Sequence, residues 1–166
     1  PFIFGGIAAV MGAAMLTNGT LVERIGTRRI VHAFLIGYVV AGFMFWGITS
    51  ASDGNPGFWT FVIGLALIAF MHALLIPNFN TLAMWPMGHI AGTASAVTGT
   101  VSVAGGAFIG AVIDQQYTDS VSPLIISFAV LGVLALGFVV WAERGRLFAP
   151  PEQVPPPVES IEPPVR

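Results

Sequence analysis

The residues able to do chemistry are few, and they fall in two places. The first is the run Gly19-Thr20-Leu21-Val22-Glu23-Arg24-Ile25-Gly26-Thr27-Arg28-Arg29. Gly19 allows close packing at a helix end, and Gly26 permits a tight turn between two helices. Glu23 can pair with an arginine or sit at a neighbouring helix N-terminus. Arg24, Arg28 and Arg29 would hold such a loop against anionic lipid. The second place holds His72, Pro77, Asn78 and Asn80. Imidazole can hydrogen-bond a substrate or move a proton, and the two amides offer donors and acceptors beside a proline that interrupts a helical hydrogen-bond ladder. The alternative reading of Asn78 and Asn80 is that they satisfy backbone groups freed by Pro77. For His72 it is a neutral ring bonded to a neighbouring helix. His32 and His89 read as interfacial side chains. No HExxH, P-loop, GxSxG or paired-carboxylate pattern occurs, so bond-breaking catalysis is not expected, and the 166 residues include no cysteine for a thiolate metal site.

The surrounding composition says what must position these groups. Only 8% of the residues are charged and 55% are hydrophobic, with a mean hydropathy of +0.86. Soluble domains carry about 25% charged residues, so most of this chain must face lipid. That excludes a soluble enzyme, a nucleic-acid binder and a wholly disordered chain.

Charge-free stretches long enough to cross a bilayer, about 20 apolar residues each, predict five spans at 2–21, 30–50, 58–85, 90–113 and 123–142. Within the long uncharged run between Asp53 and Asp114, the cluster Pro86-Met87-Gly88-His89 marks the break. Arginines crowd the first connection and follow the last span, whereas the second and fourth connections carry Asp53, Asp114 and Asp119. The positive-inside rule then places the first connection and the C-terminus in the cytoplasm. Trp46, Trp59, Trp85 and Trp141 sit near span ends, where indoles favour the headgroup level. The expected fold is an all-α multi-pass membrane protein of the cell (inner) membrane. Residues 143–166 form a cytoplasmic Pro-rich tail expected to be disordered. The opening at Pro1 with an immediate apolar run reads as a segment of a longer protein.

The fourth span carries Gly92, Ser95, Gly99, Ser102, Gly106 and Gly110 at steps of three or four, a small-residue stripe suited to close helix contact in lipid. Static packing in any bundle would use the same stripe.

The Gly19–Arg29 run resembles the G-x-L-x-D-R-x-G-R-R signature of the major facilitator superfamily, with Glu23 where that family usually has Asp. The stretch from Pro77 to Gly110 is similar to the tenth and eleventh helices of the Bcr/CflA bicyclomycin-resistance-like drug:proton antiporters. The resemblance extends to Ala142 and implies helices eight to twelve, most of the C-terminal six-helix bundle. It implies multidrug efflux by antiport through alternating access, with a small amphipathic substrate and the proton gradient as energy source rather than a cofactor. In it, the 19–29 run is a cytoplasmic gating loop, the third span lines the central cavity, and the stripe on the fourth is a contact between bundles. The partners expected are lipid and the N-terminal helices of the same protein. Those helices would also hold any proton-coupling carboxylate, since no Asp or Glu falls inside a predicted span. An uptake or metabolite transporter of another major facilitator family shares this scaffold, and a small oligomeric channel or structural membrane protein is the remaining alternative.

Overall fold

The computed structural model describes residues 1–148 and is all-helical. Five long helices follow one another: α1 Phe2–Ile25, α2 Thr27–Ser50, α3 Phe58–Met84, α4 Ala91–Asp114 and α5 Ser122–Ala142. The shortest has 21 residues and the longest 27. At 1.5 Å per residue these span about 32 to 40 Å, enough for a hydrocarbon core of about 30 Å. All five are long and apolar enough to cross a membrane, the make-up of a multi-pass membrane protein.

The connections follow from local chemistry. Gly26 alone separates α1 from α2, at φ +81°, a backbone region where a Cβ would be strained. Helix α1 thus runs through Glu23 and Arg24, and α2 starts before Arg28 and Arg29, so both helices extend past the uncharged stretches into the charged loop. Between α3 and α4, Trp85–Ile90 tightens into a 3₁₀ segment, with Met87 leaving helical geometry at φ −107°, ψ 19°. Pro86, which lacks an N–H, sits at its start. The Pro-rich tail anticipated over 143–166 lies outside the described residues beyond position 148.

Helix α2 is central. It packs against α3 on one side and α5 on the other, while α1 lies chiefly against α3. Its buried positions include Val31, Leu35, Tyr38, Gly42, Phe45 and Thr49, alternating steps of four and three. That spacing keeps one seam facing the neighbouring helices along the whole length. Lipid tails are as apolar as leucine, so these helices gain little from hydrophobicity and depend on close contact. Three glycines supply it: a Cβ on Gly64 of α3 would lie 2.7 Å from the Phe45 ring of α2, and two more join α2 to α5. A Cβ on Gly42 would lie 3.2 Å from both Cα and N of Ala129, and one on Gly132 would lie 3.0 Å from the Tyr38 ring. Leu35, Phe45, Ile68, Leu75 and Ile125 fill the seam around them.

At the end opposite Gly26 the two short connections are tied together. The Asn55 side-chain amide donates to the Asp119 carbonyl at 2.9 Å, and the Ser120 hydroxyl donates to the Gly54 carbonyl at 2.9 Å. Asp53 and Asp119 both take positive φ there. Helix α4 stands apart, touching α3 and α5 only lightly, with Ala94 its sole buried residue.

Candidate functional site

The arginine-bearing turn is held by a residue the sequence reading did not single out. Arg28, in the first turn of α2, donates from Nε to Glu143 Oε1 at 2.8 Å, and its Nη2 pairs with Oε2 of the same carboxylate. Two parallel charge-assisted bonds fix both the distance and the plane of the two groups. Glu143 follows α5 directly, so this pair joins the beginning of α2 to the end of α5. His32, one turn after Arg28, is fully buried and points Nε2 towards Glu143 Oε1 at 3.5 Å. Its Nδ1 accepts the backbone N–H of Phe148 at 3.0 Å, and the two rings meet edge to face at 5.3 Å. His32 is therefore enclosed within the bundle, at the charged end of α2. The remaining motif residues make no hydrogen bond or ion pair with this cluster among the described residues. Gly26 makes the turn, Leu21 is half-buried against the small core of Ala14, Ala73 and Leu74, and Gly19, Glu23, Arg24 and Arg29 are exposed. Among the described residues Glu23 makes no ion pair.

Arg144 and Arg146 lie on the exposed chain just after Glu143. The Arg28–Glu143 pair consequently gathers both basic connections at one end of the bundle, with Trp85 and Trp141 at the same end and 77% and 80% exposed.

The second group of residues divides. Asn78 is buried, and its Nδ2 donates to Asn18 Oδ1 on α1 at 2.6 Å and to the Leu74 carbonyl at 2.7 Å. Its amide thus joins α3 to α1 one residue after Pro77, which removes the hydrogen bond its own N–H would have given. Pro77 itself is half-buried inside α3. Asn80 and His72 are exposed in this chain, and the His72 ring lies 6.3 Å from that of Tyr38.

The third group lies on α4. Gly92, Ser95, Gly99, Ser102, Gly106 and Gly110 are all exposed, and a Cβ on any of the four glycines would meet nothing within 4 Å. The stripe has no partner among the described residues. An apolar groove of about 520 Å³ runs between α2 and α3, bordered by Gly37, Met44, Ile63, Gly64 and Leu67. No cluster of three His, Asp or Glu side chains stands close enough to hold a metal ion among the described residues.

The sequence contained a signal for Glu143: it is an acid directly after an apolar span, beside Arg144 and Arg146, in a connection otherwise basic. Asn18 had one too, as an amide amid an apolar helix, although its visible pattern was the tripeptide Asn18-Gly19-Thr20.

The chain so described is an all-helical protein with the make-up of a multi-pass membrane protein. No family model matches it, and no solved structure does. Among curated proteins it is similar to the bicyclomycin resistance protein homolog of Haemophilus influenzae, at 26% identity over 141 residues. The match takes in 83% of this chain and 34% of that protein, so the chain spans about a third of the length of the curated relative it matches.

Proposed function

We propose that this chain is the C-terminal part of a major facilitator secondary transporter, contributing helices eight to twelve, and that the whole protein exports small amphipathic drugs in exchange for protons. The observation that carries this reading is the similarity to a bicyclomycin resistance protein homolog over 83% of the chain. The form of the Gly19–Arg29 turn supports it: Gly26 sets a left-handed turn between two spanning helices, and Arg28 ties that turn to the end of α5.

On this reading the arginine-bearing end faces the cytoplasm and the bundle moves as one body in alternating access. The fixed contacts at Gly42, Gly132 and Arg28–Glu143 suit such a body, because they leave α2 and α5 little room to slide. The stripe on α4 is the surface against which the other half of the transporter rocks. Pro77, Asn80 and His72 belong to the substrate path, and the Asn78 amide holds the path's helix to α1 at the kink. Neither metal nor organic cofactor is invoked; the proton gradient supplies the energy.

The test is an efflux assay of the intact polypeptide against a panel of cationic and neutral amphipathic drugs, with and without a proton uncoupler. Uncoupler-sensitive export supports antiport. Accumulation of a polar metabolite in place of drug export would favour an uptake transporter of the same superfamily.

A further inference from the structure

We infer that His32 and the backbone N–H of Phe148 form a proton-operated latch that fastens the segment after α5 to the start of α2. The inference rests on hydrogen-bond valence and stands apart from the transport reading. An imidazole nitrogen accepts a hydrogen bond only through a free lone pair. Because Nδ1 accepts from Phe148 at 3.0 Å, the ring is neutral and carries its proton on Nε2. That Nε2 is buried without a hydrogen-bond partner, 3.5 Å from Glu143 Oε1.

A second proton must go to Nδ1, where it faces the Phe148 N–H. Two donors then point at one another and the contact cannot persist. The ring gains a positive charge 3.5 Å from the Glu143 carboxylate, so the charged form exchanges Phe148 for a hold on Glu143. The edge-to-face contact with the Phe148 ring, at 5.3 Å, is lost with the backbone bond. The charged groups facing His32 are Arg28 on its own helix and Glu143 at the end of α5, which pair with each other. Arg144 and Arg146 lie on the segment that would be released. Because the proton added at Nδ1 is what breaks the contact, the latch opens with acidification on the side of the membrane where this end lies.

The chain has no cysteine, so Ala149→Cys gives a single attachment point for a nitroxide immediately after Phe148. The full chain is reconstituted in nanodiscs and its spin-label spectrum followed from pH 8 to pH 5. The latch predicts that the mobile fraction of the label rises at least two-fold on acidification. In His32→Gln and His32→Asn, whose amides do not titrate in this range, the spectrum becomes independent of pH. In Glu143→Gln, which also breaks the pair with Arg28, the label is more mobile at every pH but still responds to acidification. A wild-type spectrum that does not change, or a rise retained in both His32 variants, overturns the inference. So does a rise abolished in Glu143→Gln and kept in the His32 variants, which would assign the proton to the carboxylate.

Discussion

Arg28 and Glu143, 115 residues apart in the chain, meet through two parallel contacts between guanidinium and carboxylate at one end of the helix bundle. Through this pair the Gly26 turn and the end of α5 become one structural unit. Both side chains are partly shielded, at 31% and 16% exposure, so the pair is less screened than an open surface bridge.

Arg28→Ala leaves the Glu143 carboxylate without its donor. We expect a loss of about 1 kcal/mol in stability, the upper end for an exposed ion pair, because this pair is partly shielded. Arg28→Lys recovers only part of it, because an ammonium cannot make the side-on two-point contact. Thermal unfolding in detergent of Arg28→Ala, Glu143→Gln and the double variant measures it, and strongly non-additive losses are expected.

Gly42→Leu drives a side chain into the backbone of Ala129 and separates α2 from α5. Overpacking of this kind costs about 1–3 kcal/mol. Gly99→Leu, on the open face of α4, meets nothing in this chain and leaves its stability unchanged within about 0.5 kcal/mol. Parallel melts of the two variants separate a contact already made within the chain from one that awaits a partner.

Asn78→Ala removes the bond from α3 to Asn18 on α1. Hydrogen bonds between spanning helices average about 0.6 kcal/mol and reach about 1.7, so a loss in that range is expected for Asn78→Ala and for Asn18→Ala, and little more for both together. Asn80→Ala, exposed in this chain, should not affect the melt. Equilibrium unfolding of the four variants checks the order.

His72→Gln distinguishes a substrate-path role from packing against Tyr38. If the ring serves the path, the intact polypeptide with His72→Gln changes its substrate range or the pH dependence of efflux while its abundance in the membrane stays constant. An unaltered drug panel and pH profile would assign the ring to packing.

The helices were readable because lipid enforces a simple rule: a span excludes charge, so Glu23 to Arg29, Asp53 and the residues around Asp114 mark where the spans must stop. The Pro86–His89 cluster was readable for a local reason, the missing proline N–H, and it appears as the 3₁₀ segment Trp85–Ile90. Partnerships across the bundle were harder to read. Nothing near Arg28 in sequence points to Glu143, and Asn78 beside Pro77 gave no sign that its amide would reach Asn18. Small residues fall into two kinds. The conspicuous stripe on α4 has no partner among the described residues, whereas the contacts made there rest on single glycines, Gly42, Gly64 and Gly132, that stand among large side chains. Composition reveals the first kind; only the seam running from Val31 to Thr49 reveals the second.

The central claim is that this bundle works against another half through the open face of α4. The most direct measurement is drug efflux by the intact polypeptide carrying Gly106→Leu, compared with the unaltered protein at equal membrane abundance. Gly106 meets nothing within 4 Å in this chain, so the substitution does not disturb the bundle itself. The account predicts that efflux is abolished while the protein remains folded in the membrane. Full efflux by the Gly106→Leu protein would contradict it.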